Sequence, residues 1–133
     1  MDPSLNYVLE SSHASKSGRI VMITVLVNGL KISFCNIYAP NNLQEQLEFI
    51  QELNNCLIDK AQAASLVLGG DWNCTLSKKD KKGEVPWKPS QFRNMPLITM
   101  ETFDLLDIQR TRHPNLNIYT YASKTLNVKT SRD

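Results

Sequence analysis

A carboxylate and a carboxamide directly follow a short apolar run, and this is where the sequence could do chemistry. Residues 66–68 are Leu, Val and Leu and predict a strand that is buried on both faces and ends at Gly69 and Gly70. Asp71 and Asn73 come next. Ligands of open α/β sheets bind beyond the carboxyl ends of the strands, so both side chains would be placed for catalysis. Asp can bind a metal or orient an attacking water, and Asn can donate to phosphate oxygens. A strand followed by an Asx-type turn without chemistry is the alternative.

The bulk properties set broad limits. The chain has 133 residues, a formal net charge of +2 and three Cys residues. This length fits one domain or part of a larger one, and the small charge does not by itself indicate a nucleic-acid partner. The Cys residues are scattered without Cys-x-x-Cys spacing, which favours reduced thiols over disulfides or a zinc site. No stretch approaches the roughly 18 apolar residues of a membrane span, and we predict an intracellular location, nuclear or cytoplasmic.

The pattern from residue 19 onward predicts a β-hairpin followed by a helix. Residues 19–27 and 30–38 are β-rich, and Asn28 and Gly29 between them suit a type I′ turn. Pro40 ends the second strand, and Asn41 or Asn42 can cap the helix that follows. The helix is predicted over residues 43–60 from an apolar stripe at helical spacing: Leu43, Leu47, Ile50, Leu53, Leu57 and Ala61.

The order strand, helix, strand predicts that the strand before Asp71 lies parallel to the second hairpin strand. Both strands would then end at the same edge of the sheet. Tyr38 and Asn41 would lie near Asp71 and Asn73 there. An ordinary strand-end tyrosine with its hydroxyl in water is the alternative for Tyr38.

The remaining segments carry weaker patterns. Residues 1–17 read as an irregular lead-in, or as the tail of an element that begins earlier. A surface loop follows residue 75 and carries Lys78, Lys79 and Lys81, which could meet phosphates or be only solvated. A second helix is predicted over residues 95–106, with Leu97, Met100, Phe103 and Leu106 on one side. Residues 117–122 are strand-like by residue type, and residues 126–133 start another strand, as in a domain that has been cut.

Taken together, these motifs resemble the endonuclease/exonuclease/phosphatase superfamily, which includes deoxyribonuclease I and the apurinic endonucleases. The chain looks most like the endonuclease domain of a non-LTR (long interspersed element) retrotransposon. The order and intervals of the matching pieces agree over residues 18–133. These pieces are Asn-Ile-Tyr-Ala-Pro-Asn at 36–41, Leu-Gly-Gly-Asp-Trp-Asn at 68–73, Leu-Asp-Ile-Gln-Arg at 106–110 with His-Pro at 113–114, Tyr-Thr-Tyr at 119–121 and Ser-Arg-Asp at 131–133.

The resemblance implies a two-sheet α/β sandwich of the deoxyribonuclease I-like type that hydrolyses a DNA phosphodiester with Mg²⁺ or Mn²⁺. On the matching positions, Asp71 would orient or deprotonate the attacking water and would act indirectly on the metal. Asn73 and Tyr38 would hold the phosphate. Asn41 would support the nucleic acid or the active-site loop, and Thr120 would touch the DNA backbone. The resemblance also implies a structural pair between Asp107 and Arg110 and a parent chain with a reverse transcriptase domain.

The sequence also departs from the family pattern. The family places an early Asn and a metal-binding Glu before the hairpin, and a Ser-Asp-His element after the terminal strand; neither is found here. The terminal Ser131, Arg132 and Asp133 are one residue short of the family spacing, which weakens a metal role for Asp133. We therefore expect a fragment or degenerate copy with at most trace nicking activity.

Two other functions remain open. The chain could be a catalytically inactive nucleic-acid-binding module that keeps the Lys-rich loop. It could also belong to a phosphatase of the same fold that acts on phosphoinositides or nucleotides.

Overall fold

The computed structural model describes residues 6–80 and 93–117. These residues form a mixed α/β structure with one sheet of four strands in the order β1-β2-β3-β4. The strands are β1 (Tyr7–Ala14), β2 (Ile20–Val27), β3 (Leu30–Tyr38) and β4 (Ser65–Asp71). The helices are α1 (Leu43–Ala63), α2 (Asn94–Thr102) and α3 (Ile108–Arg112), with a short 3-10 helix at Lys78–Asp80. None of the helices in these ranges has both the length and the apolar character needed to cross a bilayer.

The β2–β3 hairpin confirms the sequence prediction. The two strands pair antiparallel from Ile20 opposite Ile37 to Val27 opposite Leu30. Asn28 and Gly29 adopt φ angles of 49° and 83°, as the predicted turn requires. β1 was not predicted, because residues 1–17 read as an irregular lead-in. It is an edge strand that pairs antiparallel with β2 and is interrupted by a bulge near Glu10. Its side chains are mostly exposed, so no alternation of apolar residues marks it in the sequence.

Helix α1 covers one face of the sheet. The side chain of Asn42 caps its first turn by accepting the backbone N–H of Gln44 at 2.8 Å, as one of the two predicted capping residues. The helix is slightly longer than predicted. Leu53 and Leu57 confirm the second half of the predicted apolar stripe, whereas the first turns bury a different side. Leu43 and Leu47 are exposed, and the buried positions are Gln46, Phe49, Leu53 and Leu57. Gln46 tolerates burial because its amide donates to the carbonyl of Pro40.

The core lies between α1 and the sheet. It contains Ile20, Met22, Cys35, Ile37, Ala39, Phe49, Leu53 and Leu57. Because side chains alternate along a strand, the neighbours of these residues point to the opposite side. Val21, Phe34 and Val67 lie there with 46, 38 and 49% of their surface exposed, and we call this side the open face.

Strand β4 and helix α2 both correct sequence predictions. β4 continues through Gly69 and Gly70 to Asp71, so the turn comes after the carboxylate and not at the glycines. The strand was expected to be buried on both faces, but Leu66 and Leu68 are half-buried while Val67 between them is exposed. Helix α2 ends at Thr102, four residues before the predicted end. Its buried residues are Pro96 and Thr99, whereas Leu97 and Leu106 of the predicted apolar side are exposed.

Candidate functional site

The ends of strands β3 and β4 bring the two central site residues together. The strands run parallel, and Tyr38 is the register partner of Asp71. The pairing continues one step further, because the backbone N–H of Ala39 donates to the carbonyl of Asp71 at 2.7 Å. The crossover through α1 therefore places both strand ends at one edge of the sheet, as the sequence predicted. By the pleat of the strands, Tyr38 and Asp71 lie on the open face.

Asn73 turns back over this edge. Its backbone N–H donates to Oδ1 of Asp71 at 2.8 Å, which makes the Asx turn that the sequence left as an alternative. Its φ angle is 50°, in the left-handed region that Asn tolerates better than most residues. Its side-chain amide donates to the carbonyl of Ala39. The Asx turn therefore forms part of the candidate site, because its hydrogen bonds hold the side chains of Asp71 and Asn73 beside Tyr38.

Each of these side chains keeps polar capacity for a ligand. Within the described residues, Oδ2 of Asp71 accepts no hydrogen bond, and the Asn73 amide uses one of its two N–H groups. Tyr38 is 54% exposed, and Asp71 is also exposed. The arrangement can therefore accept a proton from water at Asp71 and donate hydrogen bonds from Asn73 and Tyr38.

The environment of Cys74, the cysteine next to the site, disfavours the reactive form of its thiol. Burial raises the pKa of the Cys74 thiol from 9.0 to about 11, and the negative charge of Asp71 adds to this effect. The thiolate is the reactive form of Cys, so Cys74 is protonated and unreactive near neutral pH. Of the nearby groups, the Asp71 carboxylate is the one suited to activate water.

Arg19 is a site neighbour that the sequence prediction missed. Its guanidinium carbon lies 5.6 Å from the centroid of the Tyr38 ring, and Nη2 pairs with Oε2 of Glu45 at 3.3 Å. Arg19 is 19 residues from Tyr38 and 26 from Glu45 in sequence. No local motif marks contacts at such separations. The predicted hairpin of residues 19–27 and 30–38 was the signal that could have placed Arg19 opposite Tyr38.

The loop after Asn73 is held by a carboxylate. Oδ2 of Asp80 accepts both the backbone N–H and the hydroxyl of Ser77 at 2.8 Å. The guanidinium of Arg110 donates to the other oxygen of Asp80. The predicted structural pair of Asp107 with Arg110 takes the form of a helix cap, in which Asp107 accepts the backbone N–H of Arg110 at 2.8 Å. The guanidinium of Arg110 pairs with Asp80 and not with Asp107.

The other predicted site residues are less closely associated with this edge. Asn41 is exposed, and no hydrogen bond among the described residues joins its side chain to the site. Lys78 and Lys79 are exposed at the 3-10 helix, and Nζ of Lys79 donates to the carbonyl of Pro114 at 3.1 Å. The remaining predicted residues, Lys81, Thr120 and Asp133, lie outside the described residues. So do the predicted strand at 126–133 and, from residue 118 onward, the predicted strand at 117–122.

The donor set does not by itself make a metal site. In residues 6–80 and 93–117, no group of three or more His, Cys, Asp or Glu side chains could hold a metal ion. Among Tyr38, Asp71 and Asn73, only Asp71 carries a carboxylate. The described residues therefore do not fit Mg²⁺ or Mn²⁺ on their own, since these ions need several oxygen ligands.

The site is an open surface. Asp71 and Tyr38 are exposed, and they line neither of two well-formed cavities of about 500 and 710 Å³ in the described part of the chain. Small-molecule sites are usually concave and enclose most of their ligand, whereas an exposed sheet edge is accessible to a polymer.

Comparison with known proteins gives one informative match. No model of a protein family matches the sequence. Over 104 residues the chain is 28% identical to a Xenopus laevis protein named Transposon TX1 uncharacterized 149 kDa protein. The chain is similar to a transposon protein. The match covers 78% of this chain and 8% of the relative, so the chain spans a small part of that protein's length.

Proposed function

We propose that this chain belongs to a DNA-nicking endonuclease domain encoded by a retrotransposon. The observation that carries the proposal is the β3–β4 register, which places Tyr38 opposite Asp71 with Asn73 tied back to Ala39. The similarity to a transposon protein supports the genetic context, and the length of that relative is compatible with a larger parent chain that carries a reverse transcriptase domain.

In the proposed reaction, Asp71 accepts a proton from the water that attacks the phosphorus. The new P–O bond replaces the P–O bond to one sugar oxygen, which leaves and takes a proton from solvent. Oδ1 of Asp71 is held by the N–H of Asn73, so Oδ2 is the oxygen that would face the water. The second amide N–H of Asn73 and the hydroxyl of Tyr38 would donate to the phosphate oxygens, where negative charge increases in the transition state. Exposed Lys78 and Lys79 and the neighbouring Asn41 would contact the DNA backbone beyond the scissile phosphate.

The proposed cofactor is Mg²⁺ or Mn²⁺. It would stabilise charge on the phosphate, but the described residues supply too few ligands to hold it alone. We therefore expect slow nicking from this chain, with binding and proton transfer as the contributions of its own residues.

We also propose that the sheet is one half of a two-sheet sandwich of the deoxyribonuclease I-like type. The open face supports this, because Val21, Phe34 and Val67 form an apolar surface that a second sheet would cover. An experimental structure of a longer parent segment would test this: a second sheet packed against Val67 is the expected result, and a solvated open face would contradict the proposal.

The activity is tested by nicking of supercoiled plasmid with Mg²⁺. We compare the wild type with Asp71→Asn, which keeps the side-chain shape and removes the base. Because positioned bases contribute about 10²-fold or more, we expect nicking to fall at least about 100-fold. Asp59→Asn on the exposed side of α1 is the matched control and should nick like the wild type.

Three outcomes would count against the proposal. Nicking that survives in Asp71→Asn would exclude Asp71 as the base. DNA binding without any nicking, even in a full-length parent, would favour the inactive binding module, which the absence of a metal cluster among the described residues also fits. Release of inorganic phosphate from phosphoinositides without nicking would favour the phosphatase.

A further inference from the structure

Arg19 stands in line with the candidate catalytic residues. It immediately precedes β2, and its carbonyl accepts the backbone N–H of Tyr38 at 2.8 Å, one step beyond the pairing of Ile20 with Ile37. On its other side Tyr38 is the partner of Asp71. Arg19, Tyr38 and Asp71 therefore form one row across three strand ends, with about 5 Å between neighbouring strands.

The guanidinium of Arg19 is held loosely. It lies over the Tyr38 ring, Nη1 donates to the carbonyl of Tyr38 at 3.4 Å, and Nη2 pairs with Glu45 at 3.3 Å. Both distances are at the long end of the hydrogen-bond range, and these contacts use two of the five N–H donors. The Arg19 and Glu45 side chains are 31% and 55% exposed. Water competes with such an ion pair, so another anion can replace Glu45.

The row otherwise lacks a positive charge. Asp71 is anionic, while Tyr38 and Asn73 offer only neutral donors. Lys78 and Lys79 belong to the 3-10 helix further along the chain and not to this row. A guanidinium binds phosphate through paired N–H groups and at the same time stacks on aromatic rings, which matches the position of Arg19 over Tyr38.

We propose that Arg19 contacts DNA. Its guanidinium would leave the Glu45 carboxylate, bind a backbone phosphate and hold that phosphate next to Tyr38 and Asp71. This inference rests on the proposed nuclease function, whose substrate it would hold. In the unbound protein, the Glu45 carboxylate occupies the position on Arg19 that the phosphate would take. Removing Glu45 should therefore help DNA binding, whereas removing Arg19 should weaken it.

The test measures binding of a fluorescein-labelled 20-bp duplex by anisotropy over a series of KCl concentrations. For Arg19→Gln we expect about tenfold weaker binding at low salt and a slope of log affinity against log salt that is smaller by about 0.9, the loss of one phosphate contact. Glu45→Gln should bind as tightly as the wild type or a few-fold more tightly. Arg19→Lys keeps the charge and should keep the slope, with intermediate affinity.

Lys31 and Glu10 provide the matched control. They form an ion pair at 2.8 Å near the opposite end of β3. Lys31→Gln and Glu10→Gln remove the same charges from an equivalent pair, and both should leave the affinity within about twofold and the salt slope unchanged. Circular dichroism spectra of all variants should match the wild type.

The outcomes separate this inference from the proposed function. Equal weakening by Arg19→Gln and Glu45→Gln, with an unchanged salt slope, would show a purely structural pair and overturn the inference even if Asp71→Asn abolishes nicking. A reduced slope in Arg19→Gln alone supports the inference even if no variant nicks, in which case only hydrolysis fails. A wild type that does not bind DNA overturns both.

Discussion

The two sides of the sheet differ in how completely they are covered. On the α1 side, Ile20 and Ile37 are 0% and 1% exposed, whereas Val21 and Val67 on the open face are 46% and 49% exposed. Adjacent residues of one strand therefore have opposite roles, because the pleat sends them to opposite sides. The α1 side contains the core, and Tyr38 and Asp71 lie on the other side. The pleat allows the site residues to change without disturbing the packing beneath them.

Gly69 and Gly70 give the strongest test of this difference between the two sides of the sheet, because they are adjacent in β4 and only Gly70 is the partner of buried Ile37. A Cβ on Gly70 would lie 2.0 Å from the backbone oxygen of Ile37, and the φ angle of Gly70 is 127°. For Gly70→Ala we expect about 4 kcal/mol of destabilisation, from overlap and backbone strain of roughly 1–3 kcal/mol each. Gly69 has open space around its Cβ position, so Gly69→Ala should change stability by less than about 0.5 kcal/mol.

Urea unfolding followed by tryptophan fluorescence measures both variants. Equal stability losses at Gly69 and Gly70 would mean that the β3–β4 register differs from the one described. The sequence predicted that the strand ends at these two glycines, without a distinction between them. Only the register shows that Gly70 is the one that lies against the backbone of Ile37.

Local signals in the sequence predicted the framework of the site. Asn28 and Gly29 fix the hairpin, and the apolar run before Asp71 fixes the next strand. The predicted stripe of α1 is correct at Leu53 and Leu57 but wrong in the first turns, because Leu47 and Phe49 are both apolar and two neighbouring stripes were possible there. The position of the helix on the sheet selects between them. Gln46 could not be predicted as buried, because its partner is the carbonyl of Pro40 and not an apolar neighbour.

Contacts between distant segments could not be predicted from spacing. Asp80 and Arg110 are 30 residues apart, and the resemblance had suggested a pair of Asp107 with Arg110. Strand β1 was missed for a related reason. It is ordered by backbone pairing with β2, which does not depend on an apolar pattern in β1 itself. Both the Asp80–Arg110 ion pair and strand β1 therefore depend on contacts between distant segments, which residue patterns do not show.

A pair of truncations tests the two faces directly. Leu53 on α1 is fully buried, and Leu53→Ala should cost about 3 kcal/mol from lost burial and the cavity left behind. Val67→Ala on the open face removes a half-exposed side chain and should cost less than about 1 kcal/mol. Urea unfolding at several protein concentrations measures both. A loss at Val67 as large as that at Leu53 would mean that the open face is covered in solution, and a dependence on concentration would identify a second copy of the chain as the cover.

The smallest of the three effects is a pH dependence from the α1 side. Cys35 is buried, and burial raises the pKa of its thiol from 9.0 to about 11, with a smaller contribution from Cys56. Between these values the folded chain retains a proton that the unfolded chain releases. Stability from this group is therefore present below pH 9 and is lost as the pH rises towards 11. A shift of this size corresponds to about 3 kcal/mol in full. About 2 kcal/mol of it is lost between pH 9 and pH 11.

The comparison of wild type with Cys35→Ala isolates this effect, because the tyrosines and lysines titrate in both proteins. Cys35→Ala should be less stable than the wild type near neutral pH, since it leaves a small cavity in the core. The stability difference between the two proteins should then shrink by about 2 kcal/mol between pH 9 and 11, as the thiol loses its advantage in the wild type. A stability difference that stays constant over this range would show that the Cys35 thiol is accessible to water. The α1 side would then exclude water no better than the open face.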